Sequence, residues 1–537
     1  MNLEALQTQT LGALLEGVAA ERGDAPALIC GDESQSFAAL ARNARKVAAG
    51  LAGLGVGRGD KVAVWLANVP AWVELEFALA RLGAVAVAIN TRYRRHEVED
   101  IIERSGARLL VLQPSLKGTD YLGLVEQFDE ARLANLEALV LVGGDTHPAR
   151  IKGRPAVAYE DLLGRDEYPS DDGQPDLACN AFTSSGTTSA PKLVLHRQAA
   201  IAHHARAVAD TFSYRQTPDT VVLGMLPFCG VFGFNTIMGA LAAGRPAVLL
   251  PVYDAEEAVA RIERHRVTHT SGSDEMFRRI FDAARPPSRI ASLKEGAFAN
   301  FSTDAAALVE RAVNQDIKLF QTYGSSEVQA LMSYAADGSG PRRWALGGGK
   351  PSSPEIRVRV RDPESGELLA DGEQGELEIA GPNVMIGYLN NPEATRETMI
   401  ADGFARTGDL GYTEGPDSFV YLARLGDALR LGGFLVNPRE IEAYLEAFEA
   451  IRLAQVVAVD TERGPRPVAF VIPESGASFD EAAVIRACLS DMAKFKVPVR
   501  IAALERFPTT SSANGEKIQK ARLREMAKEL VDAEALP

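Results

Sequence analysis

The chain has 537 residues, 46% of them hydrophobic and 24% charged, a globular composition on a length that exceeds one ordinary domain. Its 57 basic and 72 acidic residues leave a formal charge of −15, which repels nucleic-acid backbones and anionic bilayers. No apolar run approaches membrane-spanning length, so neither nucleic acid nor membrane insertion is expected.

The opening MNLEALQTQTLGALLEGVAAER has no basic region before its apolar residues and carries Glu4 and Glu16, which predicts an amphipathic helix and not a signal peptide. Buried strands are predicted at 61–68, 84–90 and 107–113, with a helix over 70–83. Arg92, Arg94 and Arg95 form a basic cluster that reads either as an anion-receiving patch or as a solvated helix start. Apolar runs at 138–144, 220–227 and 245–251 continue the alternation of strand and helix, which implies parallel sheets covered by helices. From about residue 354 the segments 355–362 and 375–381 read as antiparallel strands.

After residue 426 a smaller α+β unit is predicted. It has a helix over 440–448, two strands within 453–473, a second helix over 480–495 and a small-residue loop over 508–519 carrying Lys517. Cys30, Cys179, Cys229 and Cys488 lie far apart without CxxC spacing, which gives no zinc signature and fits a reducing compartment. His265 and His269 are four apart, but their segment reads as a strand, and His203 and His204 are adjacent. Neither pair suits a zinc site. A cytoplasmic α/β protein is the expectation.

The segment FTSSGTTSAPKLVLH, 182–196, carries the chemistry. A Walker loop needs GxxxxGK[ST] followed by a helix. Here Pro191 stands where the second glycine belongs, Leu193 follows Lys192, and the next residues read as a strand. The Walker reading fails. Small residues, hydroxyls and one lysine still suit an anion, and by itself the loop is either a phosphate grip or a polar connection.

The ordered set FTSSGTTSAPK, YGSSE (323–327), TGD (407–409) and NGEKIQKARLR (514–524) closely resembles the acyl-adenylating superfamily of acyl-CoA synthetases, firefly-type luciferases and nonribosomal-peptide adenylation domains. The resemblance covers nearly the whole chain. It implies a large N-terminal body of αβ-layered sheets with a β-rich subdomain, residues 1–425, and a small mobile α+β C-terminal domain, residues 426–537. It also implies that Ser184, Ser185, Gly186, Thr187, Thr188 and Lys192 hold the pyrophosphate portion of ATP. Tyr323 would lie against the adenine, Gly324 would belong to the nucleotide site, Ser326 would reach phosphate, and Glu327, with Thr187, would help hold Mg2+. Asp409 would accept from both ribose hydroxyls, and Arg424 would touch the ribose or phosphate. Asp427 falls at the hinge, Arg430 stands where the family usually has Lys, and Gly432 and Gly433 would line the tunnel for CoA. Lys517 takes the place of the lysine that bridges carboxylate and α-phosphate during adenylation.

Three stretches depart from the family pattern. Ser189 and Leu193 replace common glycines, and the Gly-rich adenine-side segment reads EGAFANF, 295–301. In LPFCGVFGF, 226–234, Gly230 stands where many relatives carry His. The acyl pocket is then expected to involve Gly230, Val231, Phe232, Phe298 and Gly324, and to admit a bulky or aromatic acid ahead of an aliphatic one. The resemblance implies an ATP- and Mg2+-dependent carboxylic acid–CoA ligase working through acyl-AMP. The alternative is an enzyme that loads a non-amino-acid acyl or aryl group onto a carrier protein. The expected partners are a small carboxylic acid and CoA, with a homodimer left open.

Overall fold

The computed structural model describes residues 9–144, 148–184, 191–300, 305–336, 338–431, 434–461, 464–512 and 515–532, without the side chains of 430, 434, 435, 511, 512, 515–517 and 532. By internal packing the chain forms two compact units. One comprises the chain up to Ala299, Ala305–Arg357 and Ile379–Arg406, and the other comprises Val358–Glu378 and the chain from Thr407 onward.

The first unit is built on two sheets. In one, Val85–Ala88, Lys61–Trp65, Leu109–Leu112, Ala138–Leu141 and Arg154–Ala158 run parallel in that order. Their first four strands are apolar runs buried on both faces, as parallel strands between helices must be. Beyond Val85–Ala88 lie Ala178–Thr183, then antiparallel Leu193–Arg197, then the two-residue edge Gly387–Tyr388. The other sheet orders Lys318–Gln321, Glu295–Ala299, His269–Ser273, Val222–Gly224, Ala247–Leu249 and Pro26–Cys30, all parallel, and ends on antiparallel Glu33–Ser36. Helices such as Phe37–Gly53, Pro70–Arg81, Gln198–Thr211 and Val231–Ala242 contribute to its main core.

The second unit contains Phe419–Arg424 and, from Thr407 on, its antiparallel partner Ala405–Thr413, whose register sets Asp409 opposite Arg424. Further along, Ile451–Thr461 pairs antiparallel with Gly464–Pro473, which pairs parallel with Arg500–Ala503. Both faces of this sheet are apolar. Ala454, Val456, Ala469 and Val471 enter one cluster, and Val457, Val459, Val468 and Phe470 enter another, the two-residue period of a strand.

Two predicted elements differ from the structure. The helix over 480–495 runs only Glu481–Asp491, and Met492 is extended. Met492 and Phe495 turn onto the core instead, and Pro498 removes helical freedom from the residue before it. The stretch read as a loop over 508–519 is a hairpin of Thr509–Ser512 and Gly515–Ile518, with Thr510 opposite Lys517. Its β-branched threonines favour strand.

Candidate active site

Two of the sequence-flagged motifs of the first unit follow the ends of parallel strands, the usual place for ligands in open α/β sheets. Ala178–Thr183 leads into the small-residue loop and Lys318–Gln321 into YGSSE. Ser185, Gly186, Thr187, Thr188 and Ser189 lie outside the described residues. Their frame does not. The Ser184 amide donates to Lys192 O at 2.8 Å, and the Lys192 amide donates to Ser184 Oγ at 3.1 Å, so the loop ends are clasped. Arg104 also donates to Pro191 O at 2.7 Å.

The turn 323–331 is tightly folded. A side chain at Gly324 would stand 2.4 Å from Gln329 O, and Gln329 and Leu331 adopt positive φ of 67° and 61°. Non-glycine residues in that region persist only when their surroundings hold them. The holders are here. His196 donates from Nε2 to Ser326 O at 2.8 Å, His204 to Ala330 O at 2.7 Å, Asn235 to Ala330 O at 3.2 Å, and Asn383 to Val328 O. The Met385 amide donates to Glu327 O at 2.8 Å. Burial pushes both histidines down to about 4, so each is a neutral ring and a fixed donor at neutral pH.

Tyr388, which the sequence reading passed over, stands between the two charged candidates. Its hydroxyl donates to Glu327 Oε1 at 2.9 Å, and Lys192 Nζ lies 4.6 Å from its ring centroid. Its residue neighbours in NVMIGYLNN form only a short edge strand, so no periodicity marked it.

Magnesium requires hard oxygen donors, and one carboxylate suffices when phosphate oxygens supply the rest. Among the described residues no group of three or more His, Cys, Asp or Glu could hold a metal by itself. Glu327 has Oε1 engaged by Tyr388 and presents Oε2. That donor set fits a metal arriving with a nucleotide.

On the acyl side, Gly230 caps the helix Val231–Ala242 with φ −113°, an angle open to any residue. Glycine is therefore not demanded there by the backbone. Gly233 is different, because a side chain would meet the carbonyl oxygens of Leu226 and Pro227 at 2.4 Å. Val231, Phe232 and Phe298 are buried in the main core. Of the basic cluster, Arg95 pairs with Glu99 at 2.9 Å and Arg94 donates to the carbonyls of Arg92 and Tyr93, which spends them on the helix start.

In the second unit, Arg424 NH1 lies 3.2 Å from Asp409 Oδ1 and donates to Thr407 O at 3.0 Å. Gly408, with φ 67°, bends the strand just before Asp409. Arg524 donates to Asp427 Oδ1 and to Gly426 O, both at 2.7 Å. Gly432 and Gly433 lie outside the described residues, as do the side chains of Arg430 and Lys517. Below the hairpin that carries Lys517, Lys520 donates to the buried Glu442 at 2.9 Å.

A family model described as AMP-binding enzyme matches residues 15–389, and one described as AMP-binding enzyme C-terminal domain matches 440–514. The chain belongs to the AMP-binding enzyme family. A methyl-dioxo-octahydroindenyl-propanoyl:CoA ligase of Rhodococcus jostii (strain RHA1) is 31% identical, over 97% of this chain and 99% of the relative. Pyochelin synthase PchD of Pseudomonas aeruginosa (strain UCBPP-PA14) is 31% identical, over 98% of this chain and 94% of its own. The crystal structure of ATP-bound MatB from Rhodopseudomonas palustris superposes with a TM-score of 0.81 at 25% identity, covering 97% of this chain and 100% of that one. In this AMP-binding enzyme no described helix is long and apolar enough to cross a membrane.

Proposed function

We propose that this chain is an ATP-dependent carboxylic acid–CoA ligase that releases pyrophosphate and then AMP. Family membership over nearly the whole length, with a CoA ligase among its relatives, is the observation that carries the reading. A carboxylate does not exchange oxide for a thiol, because oxide is a poor leaving group. In the first step a carboxylate oxygen attacks the α-phosphorus of ATP and pyrophosphate departs. In the second the CoA sulfur attacks the acyl carbon and AMP leaves with the electron pair of the broken C–O bond.

The residues carry this chemistry by alignment and charge. Ser184 to Lys192 grips the β- and γ-phosphates, with Gly186 admitting backbone amides and Thr187 and Thr188 donating. Tyr323 flanks the adenine, Gly324 belongs to the nucleotide site, Ser326 reaches phosphate, and Asp409 with Arg424 takes the ribose. Glu327 and Thr187 hold Mg2+, which neutralises phosphate charge when bound. Lys517 supplies positive charge as the pentavalent phosphorus forms, a contribution specific to the transition state. Residues 426–537 rotate about Asp427 between the two steps, and Gly432 and Gly433 then line the way for CoA.

Gly230, Val231, Phe232 and Phe298 bound the acyl group, and the missing side chain at Gly230 favours a bulky or aromatic acid. A reducing, cytoplasmic setting fits four free thiols. The test is turnover of Mg-ATP and CoA with aliphatic, branched, aryl and arylalkanoic acids, reading AMP and acyl-CoA by mass spectrometry. A thioester from one acid class supports the ligase. AMP or bound acyl-adenylate without thioester moves the acceptor to a carrier protein, and no turnover with any acid removes the support.

A further inference from the structure

We propose that Tyr388 is a positioning residue that holds Lys192 and Glu327 apart and aimed, so that cation and carboxylate both remain available to a magnesium nucleotide. This rests on the ligase reading above. The starting observation is a separation of charge. Lys192 Nζ sits 4.6 Å over the Tyr388 ring centroid, and the same ring's hydroxyl donates to Glu327 Oε1 at 2.9 Å. Among the described residues no ion pair joins Lys192 to Glu327. A direct bridge would neutralise the two groups that a phosphate and a metal need.

The interposed ring prevents that at little cost. A lysine ammonium is attracted to an aromatic face, and unlike a salt bridge the attraction leaves its positive charge uncompensated by an anion. A phenol hydroxyl takes one carboxylate oxygen and fixes the rotamer, which leaves Oε2 as a monodentate donor. One neutral side chain thus orients one cation and one anion.

The backbone around Tyr388 is built for this. Val194 pairs with Tyr388 and Leu195 with Gly387, so the edge strand is registered to the strand leaving the phosphate loop. The Ile386 amide donates to Leu195 O and the Leu389 amide to Leu193 O, each at 2.8 Å. On its other side the same segment holds the turn, through Met385 to Glu327 O and Asn383 to Val328 O. The Tyr388 amide is fixed by Thr395 Oγ1 at 2.9 Å, and Thr395 packs so close that a side chain at Gly387 would meet its Cγ2 at 2.7 Å. Segment 383–389 is a strap between the lysine and the carboxylate, and Tyr388 is its contact with both.

The test uses the full-length enzyme with Mn2+ as probe and a nonhydrolysable ATP analogue. Mn2+ affinity of the analogue complex is read by electron paramagnetic resonance, and analogue affinity without metal is read by calorimetry. Tyr388→Phe keeps the ring and loses the hydroxyl. It is expected to weaken Mn2+ binding on the order of tenfold, with metal-free analogue affinity and thermal midpoint unchanged. In turnover, the Mg2+ concentration for half-maximal rate rises while kcat at saturating Mg2+ is retained. Tyr388→Leu loses both contacts and is expected to weaken metal-free analogue binding as well; if it fails to fold, Tyr388→Phe decides alone.

Wild-type Mn2+ affinity in Tyr388→Phe, with Glu327→Gln weakened, overturns the positioning role and leaves the metal role of Glu327 standing. Wild-type affinity in Glu327→Gln overturns both.

Discussion

His196 donates from Nε2 to the main-chain oxygen of Ser326 at 2.8 Å, and so ties the strand that leaves the phosphate loop to the turn that carries Glu327. His204 makes the parallel bond to Ala330 O. Both rings are wholly buried, and burial lowers both from 6.5 to about 4. The unfolded chain therefore binds more protons between those values, and stability falls as pH drops from 6.5 toward 4. Differential scanning fluorimetry across this window is expected to show a declining midpoint. His204→Gln, which still offers an N–H to Ala330 O, flattens the decline; an unchanged slope counts against the assignment.

Glu76 works in the opposite direction. Its carboxyl is buried and accepts one bond, from Asn180 at 2.8 Å, and burial raises it from 4.5 to about 8. An acid that gains protons on folding gives full stability below its unfolded value and loses it as pH climbs to the folded one. Glu76→Gln keeps an acceptor for Asn180 and has no proton to lose. Its thermal midpoint should exceed that of the parent progressively between pH 5 and pH 8, whereas parallel curves would count against a protonated Glu76.

Lys517 is assigned to adenylation only. Lys517→Ala should slow acyl-adenylate formation by roughly 10²-fold or more, the scale for one preorganised donor. Thioester formation from supplied acyl-adenylate should survive. Equal loss in both half-reactions, measured by rapid quench, would refute the role.

Asp409 is buried against Arg424 on a paired strand, a rigid place for a ribose acceptor. Asp409→Asn gives up a charged acceptor, and bonds to charged groups contribute about 1.5–3 kcal/mol. The expected result is an ATP KM raised about tenfold or more with kcat changed less. A fall in kcat at constant KM would place Asp409 elsewhere in the cycle.

Arg524 fastens Asp427 and Gly426 to the helix Lys520–Asp532. If Asp427 is the hinge, Arg524→Ala alters the ratio of thioester formation to adenylation, read in separate half-reaction assays. An unchanged ratio argues that the contact is only structural.

Much of this arrangement was legible because local signals agreed with the final packing. Strands such as 61–65 and 85–88 are short apolar runs that any parallel sheet between helices would use. The motif residues Lys192, Glu327 and Asp409 were visible for a different reason, since several motifs in the family's order mark them together where each alone reads as a loop or turn. Tyr388 was not visible, because it depends on pairing with Val194, nearly two hundred residues earlier. His204 was set aside as a metal ligand and His196 drew no notice, and their bonds to the 323–331 turn exist only in the tertiary fold. The hairpin under Lys517 was taken as a loop because its serines and threonines suit either state, and the partner strand decides.

The most direct test of the central claim follows the oxygen. An accepted acid labelled with 18O in its carboxylate is turned over with Mg-ATP and CoA, and the products are weighed by mass spectrometry. Acyl-adenylate chemistry predicts one labelled oxygen in AMP and none in pyrophosphate. Unlabelled AMP, or label appearing in orthophosphate beside ADP, would contradict the account.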